Sequence, residues 1–231
     1  MLVFQRKKVL MKQFLPILAR NPLMENMSEE QISSLLSCLK PQLLSCQKGN
    51  IIFHQDDPAR FFGVVLSGSV QVMRGDTQGS HIMIDELFPG EMFGETFACA
   101  GINALPVNVI ARSECVVLLF EHERVLSACA HPCKAHSRLI LNLLRSTAQK
   151  NLFLSRKLEI VMQRTTRDKL MAYLRFQAQQ ANADQFTIPF DRQELADFLG
   201  VERSAMSTEL NKLKKAGVIH FEKNEFQLLL P

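Results

Sequence analysis

No stretch of this 231-residue sequence approaches the ~18 consecutive apolar residues that a membrane-spanning helix needs. The N-terminus also lacks the apolar segment and the small-residue cleavage site of a secretory signal peptide. Six cysteines fit no short disulfide scaffold, so we expect reduced thiols at Cys38, Cys46, Cys99, Cys115, Cys129 and Cys133. These absences predict a cytoplasmic globular protein, for which 47% hydrophobic and 22% charged residues is an ordinary composition.

The N-terminal part of the chain changes its hydrophobic period near residue 43. Residues 1–47 are predicted to be helical, with Ser28 as an N-cap, Gln31 three residues later, and Pro41 ending the helix. Short apolar or alternating runs then recur about every ten residues between turn signals, at 51–53, 62–66, 70–73, 82–87, 107–111 and 116–120. Many short strands at this spacing predict a jelly-roll or β-roll domain.

Residues 121–164 return to a helical period and contain a coiled-coil seam. Spacings of four and three connect Ile140, Leu144, Thr147, Asn151, Leu154, Leu158 and Val161. Asn151 falls at an a position, where one polar residue can fix the register of a two-stranded coiled coil. The stripe could instead pack on the chain's own β-domain, but a long helix with a basic face and a separate seam favours homodimerisation.

Residues 165–231 combine helices with a terminal hairpin. A helix opens at 166–170, residues 177–185 are predicted to be a loop, and 186–190 a short strand. Two short helices then fill 192–216, separated by Gly200, which can adopt φ > 0 where the first helix stops. Strands at 218–221 and 226–230 would form a wing. This order predicts a winged helix-turn-helix, and the whole chain an α+β protein of three parts: 1–130, 131–164 and 165–231.

The helical pair presents a short polar face. Met206, Leu210 and Leu213 occupy the buried face of its second helix, which turns small and basic side chains outward near its N-terminus, where a helix in a major groove meets base edges. The candidate DNA-binding residues are Arg192, Gln193, Arg203, Ser204, Ser207, Thr208 and Lys212. A plain helical hairpin with a solvated face remains the alternative.

The charge distribution argues mildly against DNA binding by this end of the chain. Residues 165–231 carry nine basic and nine acidic residues (9−9 = 0), whereas 131–164 carry seven and one (7−1 = +6). A neutral domain can present a basic face, but it cannot rely on a broad electrostatic field.

Three motifs in this order resemble the CRP/FNR superfamily of bacterial transcription regulators. They are FGVVLSGSV at 62–70, PGEMFGE at 89–95 and RQELA at 192–196. The resemblance extends over residues 15–230 and implies a cyclic-nucleotide-binding-like β-roll, a dimerisation helix and a winged helix-turn-helix. It implies a homodimer that binds a palindromic double-stranded DNA operator, responds to a small effector, and contacts RNA polymerase if it is an activator.

The resemblance also places an effector pocket, in which this chain departs from the cyclic-nucleotide binders. Those members follow the Gly-Glu pair with Arg-Ser, whose arginine neutralises the cyclic phosphate. Here Gly94 and Glu95 are present, but Leu105 and Pro106 stand at the later positions. The polar adenine contacts on the long helix correspond to Leu152 and Phe153. An apolar pocket predicts an effector other than cAMP, or none, and Gly94 and Glu95 could also form a purely structural turn.

Redox or metal sensing is the alternative within the same fold. Oxygen-sensing members hold an iron–sulfur cluster on N-terminal cysteines, but residues 1–37 contain none. Cys129, His131, Cys133 and His136 are grouped but match no standard zinc spacing, so we expect no metal or other cofactor.

Two other functions deserve comparison with DNA binding. A cupin-like enzyme would need a clustered His-x-His, whereas His54 and His81 stand alone in the roll, so we expect no enzyme. A cyclic-nucleotide-dependent regulatory subunit is disfavoured by the winged helix-turn-helix and the missing phosphate arginine. Because the second helix also lacks the glutamate and second arginine of many relatives, its operator should differ from theirs, with Arg203 as the best candidate for a guanine contact.

Overall fold

The chain in this computed structural model is described for residues 13–75, 81–127 and 133–229, and it divides into two compact units, 1–148 and 149–231. None of the helices in the described part combines the length and hydropathy that a bilayer crossing requires. The three-part division at residues 130 and 164 stays a prediction.

A short helical segment leads into the first unit. It contains α1 (Leu15–Leu18), a 3-10 turn (Pro22–Met24) and α2 (Glu29–Leu39). The predicted cap of α2 is confirmed, because the Ser28 hydroxyl accepts the Gln31 N–H at 3.3 Å and the Gln31 side chain accepts the Ser28 N–H at 2.9 Å. The buried face of α2 joins the core beneath the sheets.

Two four-stranded antiparallel sheets form the body of the first unit, which confirms the predicted β-roll. One has the order β1-β8-β3-β6 and the other β2-β7-β4-β5. The strands are β1 (Gln42–Cys46), β2 (Ile51–Phe53), β3 (Phe61–Ser67), β4 (Val70–Gly75), β5 (His81–Leu87), β6 (Met92–Phe93), β7 (Asn108–Ala111) and β8 (Cys115–Glu121). Short helices α3 (Glu95–Cys99) and α4 (His122–Leu126) follow β6 and β8.

The first strand, β1, corrects the assignment of residues 42–46 to the helical segment 1–47. Lys40 adopts a left-handed conformation (φ 49°) and ends α2, and residues 42–46 then pair with β8 in continuous antiparallel register. Backbone pairing with a strand some seventy residues away decides this segment, and its short local pattern does not.

The long helix α5 (Lys134–Val161) packs one face on the roll and leaves another in solvent. Ala135, Leu139 and Leu143 are buried in the core that also contains α1 and α2. Asn142 is 2% exposed, and its Nδ2 donates to the carbonyls of Leu23 and Glu25, each at 2.9 Å.

The predicted seam lies mainly outside this buried face. Leu144, Leu154 and Leu158 are 64%, 62% and 56% exposed, and Asn151 is also exposed. Leu144, which lies in the first unit, is therefore not packed on the chain's own β-domain. For the rest of the seam, the choice between that packing and a second copy of the helix stays a prediction.

The second unit is a winged helix-turn-helix, as predicted. After α5 it contains α6 (Thr166–Ala181), β9 (Gln185–Thr187), α7 (Arg192–Leu199), α8 (Arg203–Lys215), β10 (Ile219–Glu222) and β11 (Glu225–Leu228), with sheet order β10-β11-β9. The predicted loop at 177–185 is wrong, because α6 continues to Ala181 and buries Ala178 against the domain core. The strand predicted at 186–190 is shorter and begins at Gln185.

Removing the Asn142 amide should test how firmly α5 is held on the roll. We expect Asn142→Ala to lower the free energy of unfolding by about 2 kcal/mol, because two carbonyls would lose their buried hydrogen bonds. Denaturant titration measures the change, and Gln149→Ala, an exposed position on the same helix, is the matched control. Equal stabilities of the two variants would show that the Asn142 contacts contribute nothing.

Candidate nucleic-acid interface and effector pocket

Two well-capped helices support the candidate DNA-binding face. The Asp191 carboxylate accepts the N–H groups of Gln193 and Glu194 at 2.7 and 2.8 Å and so begins α7. Gly200 ends this helix with φ 61°, as the sequence predicted. The inner faces of both helices are buried in one core, with Leu195, Ala196, Leu199, Met206, Leu210 and Leu213. The opposite face of α8 is thereby turned to solvent.

The first two turns of α8 present the predicted reading residues. Arg203, Ser204 and Thr208 are exposed and Ser207 is half-buried. The Thr208 hydroxyl donates to the Ser204 carbonyl at 2.9 Å, a helical back-bond that still leaves its oxygen able to accept. Within the described part of the chain, the Arg203 guanidinium has neither a hydrogen-bond nor an ion-pair partner. It is available to a ligand.

Two of the predicted contact residues already have partners on their own helices. Lys212 Nζ lies 2.7 Å from Glu209 Oε1, and Gln193 Nε2 donates to Asp197 Oδ1 at 2.9 Å. Exposed pairs of this kind contribute about 0–1 kcal/mol, so either side chain can be redirected to DNA at small cost.

Arg192 is held against the wing. Its guanidinium lies over the rings of Phe221 and Phe226, 5.0 and 5.2 Å from their centroids, and Nη2 donates to the Lys223 carbonyl at 2.7 Å. Burial lowers the pKa of the Arg192 guanidinium, which nevertheless stays protonated as arginine does in proteins. Its Nη1 is buried and has no hydrogen-bond partner among the described residues.

A cleft of about 380 Å³ brings several of these groups together. Its lining comprises Asp191, Arg192, Gln193, Arg203, Lys223 and Asn224. Lys223 and Asn224 form the turn of the wing and were missed as site residues by the sequence reasoning. The sequence feature that could have identified them is Lys223, a basic residue at the tip of the predicted wing hairpin. Three cationic side chains around one cleft can hold phosphate oxygens.

The predicted effector pocket contains one position that the backbone requires to be glycine. Gly94 has φ 79°, and a Cβ there would lie 3.1 Å from Phe53 Cε2 and 3.4 Å from the Phe61 carbonyl oxygen. Glu95 follows it as the first residue of α3, is 3% exposed, and accepts a 3.4 Å hydrogen bond from the Thr96 hydroxyl. The geometry supports the structural interpretation of Gly94, while an effector role for Glu95 stays a prediction.

Leu105 is the predicted pocket residue that lines a cavity. The cavity measures about 480 Å³ and is bounded by Ile52, Phe53, Asp57, Pro58, Arg60, Phe61, Leu105 and Leu119. Gly94, Glu95 and the half-buried Pro106 are not among its lining residues. The structure therefore brings Leu105 together with the 52–61 segment, which the sequence reasoning did not include.

The two predicted pocket residues on α5 are exposed. Leu152 and Phe153 have 71% and 54% of their surface accessible. The Phe153 ring also lies 6.4 Å from the Phe198 ring, within the second unit. Their contact with an effector stays a prediction.

The cysteine and histidine cluster lies partly outside the described residues, because Cys129 and His131 fall there. Cys133 is half-buried, and His136 Nε2 lies 2.7 Å from the Val125 carbonyl oxygen in a buried contact. No group of three or more metal-ligating side chains occurs among the residues that the structure describes.

A second cysteine pair lies in the roll. Cys46 and Cys115 face each other across β1 and β8. Burial raises the pKa of both thiols, that of Cys115 to about 11 with help from Cys46, so neither is an activated thiolate near neutral pH.

Comparison with known proteins agrees with this geometry. Residues 43–131 match the cyclic nucleotide-binding domain family, and residues 168–230 match the Crp-like helix-turn-helix domain family. The transcriptional activator protein FnrL of Cereibacter sphaeroides is 24% identical over 190 residues, 77% of this chain and 72% of the relative. The transcriptional activator protein FnrA of Stutzerimonas stutzeri is 22% identical over 189 residues, 79% of this chain and 75% of the relative.

A solved structure shows the same fold. It is that of a candidate cAMP-binding regulatory protein from Silicibacter pomeroyi, with a TM-score of 0.51, 22% identity and 94% of each chain covered. The fold and the two domain matches define a DNA-binding regulator that joins a cyclic-nucleotide-binding-type β-roll to a winged helix-turn-helix. The chain belongs to the CRP/FNR superfamily of transcription regulators.

Proposed function

We propose that this CRP/FNR-type regulator is a cytoplasmic homodimer that binds a palindromic DNA operator under the control of a small effector other than cAMP. The observation that carries the proposal is the exposed face of α8 beside the cationic cleft of Arg192, Arg203 and Lys223. The exposed face of α8 can enter a major groove while the cationic cleft binds the flanking phosphates.

Base reading and phosphate binding fall to different side chains in this proposal. Arg203 is exposed at the N-terminus of α8 and can donate two hydrogen bonds to one guanine. Arg192 is fixed against the wing beside the cleft, and Lys223 lies at the wing tip, so both suit phosphate oxygens. Ser204, Ser207 and Thr208 add short polar contacts to base edges or methyl groups.

Replacing Arg203 should cost specificity more than affinity for DNA in general. We expect Arg203→Ala to reduce the ratio of specific to non-specific binding by about 1–3 kcal/mol, roughly 5- to 150-fold, because a bidentate guanine contact is lost. Fluorescence anisotropy with a selected operator and a scrambled duplex measures the ratio.

Lys223→Ala is the matched comparison. A phosphate contact should weaken both duplexes alike and reduce the salt slope by about one. An unchanged specificity ratio in Arg203→Ala would remove Arg203 from the reading residues.

The exposed seam of α5 supports the homodimer. Leu144, Leu154 and Leu158 repeat at coiled-coil spacing and are all more than half exposed, which a second copy of this helix could cover. Two recognition helices held about one DNA turn, roughly 34 Å, apart would share the binding of two half-sites, which compensates for the neutral charge of each DNA-binding domain.

A charge in the seam should separate the protomers. We expect Leu154→Asp to shift sedimentation from dimer to monomer and to weaken operator binding, because a buried unpaired carboxylate is costly in an apolar interface. Gln149→Asp, exposed on the same helix but outside the seam, should remain dimeric. A dimeric Leu154→Asp protein would place the interface elsewhere.

Activation of transcription is the proposed output. The relatives FnrL and FnrA are named as transcriptional activators, and a regulator that activates must contact RNA polymerase. The reading face of this chain determines which operators, and so which genes, it binds, and its pocket determines which effector it binds. Both depart from the family pattern.

Cyclic AMP should not be the effector. Leu105 cannot pair with a cyclic phosphate, and Pro106 offers no backbone N–H to it. We expect calorimetry with cAMP to show no saturable binding at micromolar concentrations. Micromolar binding that Glu95→Ala abolishes would contradict this and restore the nucleotide site.

A further inference from the structure

The cavity beside Leu105 has the construction of a small-molecule site. Its floor consists of the buried side chains of Phe53, Leu105 and Leu119, and Ile52 and Phe61 are half-buried on its walls. Asp57, Pro58 and Arg60 are exposed at its rim. An apolar floor of about 480 Å³ with a few polar groups at the mouth matches the size and lining of small-ligand pockets in general.

Asp57 and Arg60, the two charged residues at the rim, can bind a ligand without first losing another partner. Among the described residues, neither the Arg60 guanidinium nor the Asp57 carboxylate has a hydrogen-bond or ion-pair partner, and the two are not paired with each other. An exposed arginine over an apolar floor is complementary to a ligand that carries an anionic head on an apolar body. Asp57 could accept a hydrogen bond from the same ligand.

We propose that this cleft binds a small molecule with an apolar, aromatic-sized body and an anionic head, which Arg60 pairs with. The proposal rests on the proposed function, because it gives the regulator's effector a chemical class and a location. That location is the 52–61 side of Leu105: Gly94 abuts Phe53 and Phe61 of the lining, but neither Gly94 nor Glu95 lines the cleft itself. Arg60, on the 52–61 segment, thus takes the role of the phosphate-binding arginine that cyclic-nucleotide binders carry at the position of Leu105.

Backbone hydrogen bonds connect the cleft to the long helix. The Arg60 carbonyl accepts the His122 N–H at 3.0 Å and lies 3.0 Å from His122 Nδ1, at the start of α4. The Val125 carbonyl of α4 lies 2.7 Å from His136 Nε2 in the first turn of α5. A ligand that contacts Arg60 can therefore shift α4. Because α4 contacts the first turn of α5, the shift can reach the proposed dimerisation helix.

Backbone hydrogen bonds also hold the opposite side of the rim. Leu105 accepts the Asp56 N–H and donates its own N–H to the Asp57 carbonyl, each at 2.9 Å. A ligand in the cleft would contact both partners of this bridge. The rim segment between Asp56 and Arg60 is thus linked to the pocket floor on one side and to α4 on the other.

Two dyes with the same body test the anionic head. Anilinonaphthalene sulfonate carries a sulfonate on a naphthylamine body, and N-phenyl-1-naphthylamine is the same body without the charge. We expect the sulfonate dye to saturate at one site per chain in a fluorescence titration of the 231-residue protein. Arg60→Ala should weaken it at least tenfold and leave the neutral dye unchanged.

The control is Arg112→Ala, an exposed arginine of the same unit that lies 4.0 Å from Glu86 and outside the cleft. It should leave both dyes unaffected. Equal sulfonate-dye affinity in Arg60→Ala and the unchanged protein would overturn the proposal and place the dye at another apolar surface, such as the exposed Ile82, Met83 and Ile84 of β5. Because no DNA is present, this result is independent of whether the operator experiments succeed.

Hydrogen exchange locates the dye. Saturating sulfonate dye should slow exchange at the amides of Asp56, Leu105 and His122 in the unchanged protein and not in Arg60→Ala. Protection confined to other segments would contradict the cleft as the binding site.

Discussion

The packing of one face of α5 on the β-roll is the constraint on which the rest of the molecule depends. Leu139 and Leu143 bury that face, and Asn142 fixes the helix about its own axis through two hydrogen bonds to the 3-10 turn region. Because helical positions are separated by about 100°, this orientation also decides which residues face outward. The exposed seam is a consequence of the buried face.

The DNA-binding domain, residues 165–231, has no net charge and places three of its cations around one cleft. Its nine basic and nine acidic residues cancel, so no broad field attracts DNA. Asp191, the acidic residue at the cleft, is occupied in capping α7, and Arg192 is fixed on the wing by two phenylalanine rings. The cleft therefore keeps Arg192 oriented while its carboxylate is already satisfied by backbone N–H groups. Orientation can compensate for a low net charge because bidentate contacts depend on geometry.

Features with short-range causes were predictable from the sequence. The capping boxes at Ser28 and Asp191 and the left-handed Gly200 depend on residues within four positions of one another, and the wing hairpin pairs residues at most nine positions apart. The errors have long-range causes. Strand β1 exists because it pairs with β8, and α6 continues through a Gln- and Ala-rich stretch because Ala178 reaches the domain core.

The sequence by itself determined the order of the domains, the periods of their elements and the polar face of α8, since these follow from local propensity and hydrophobic spacing. Only the tertiary structure decided what meets at the sites. It joined the wing tip at Lys223 to Arg192 and Arg203, and it set Leu105 beside Phe53 and Arg60. Antiparallel pairing and backbone bridges bring these distant residues together, and no local pattern encodes such meetings because the partners lie tens of residues apart.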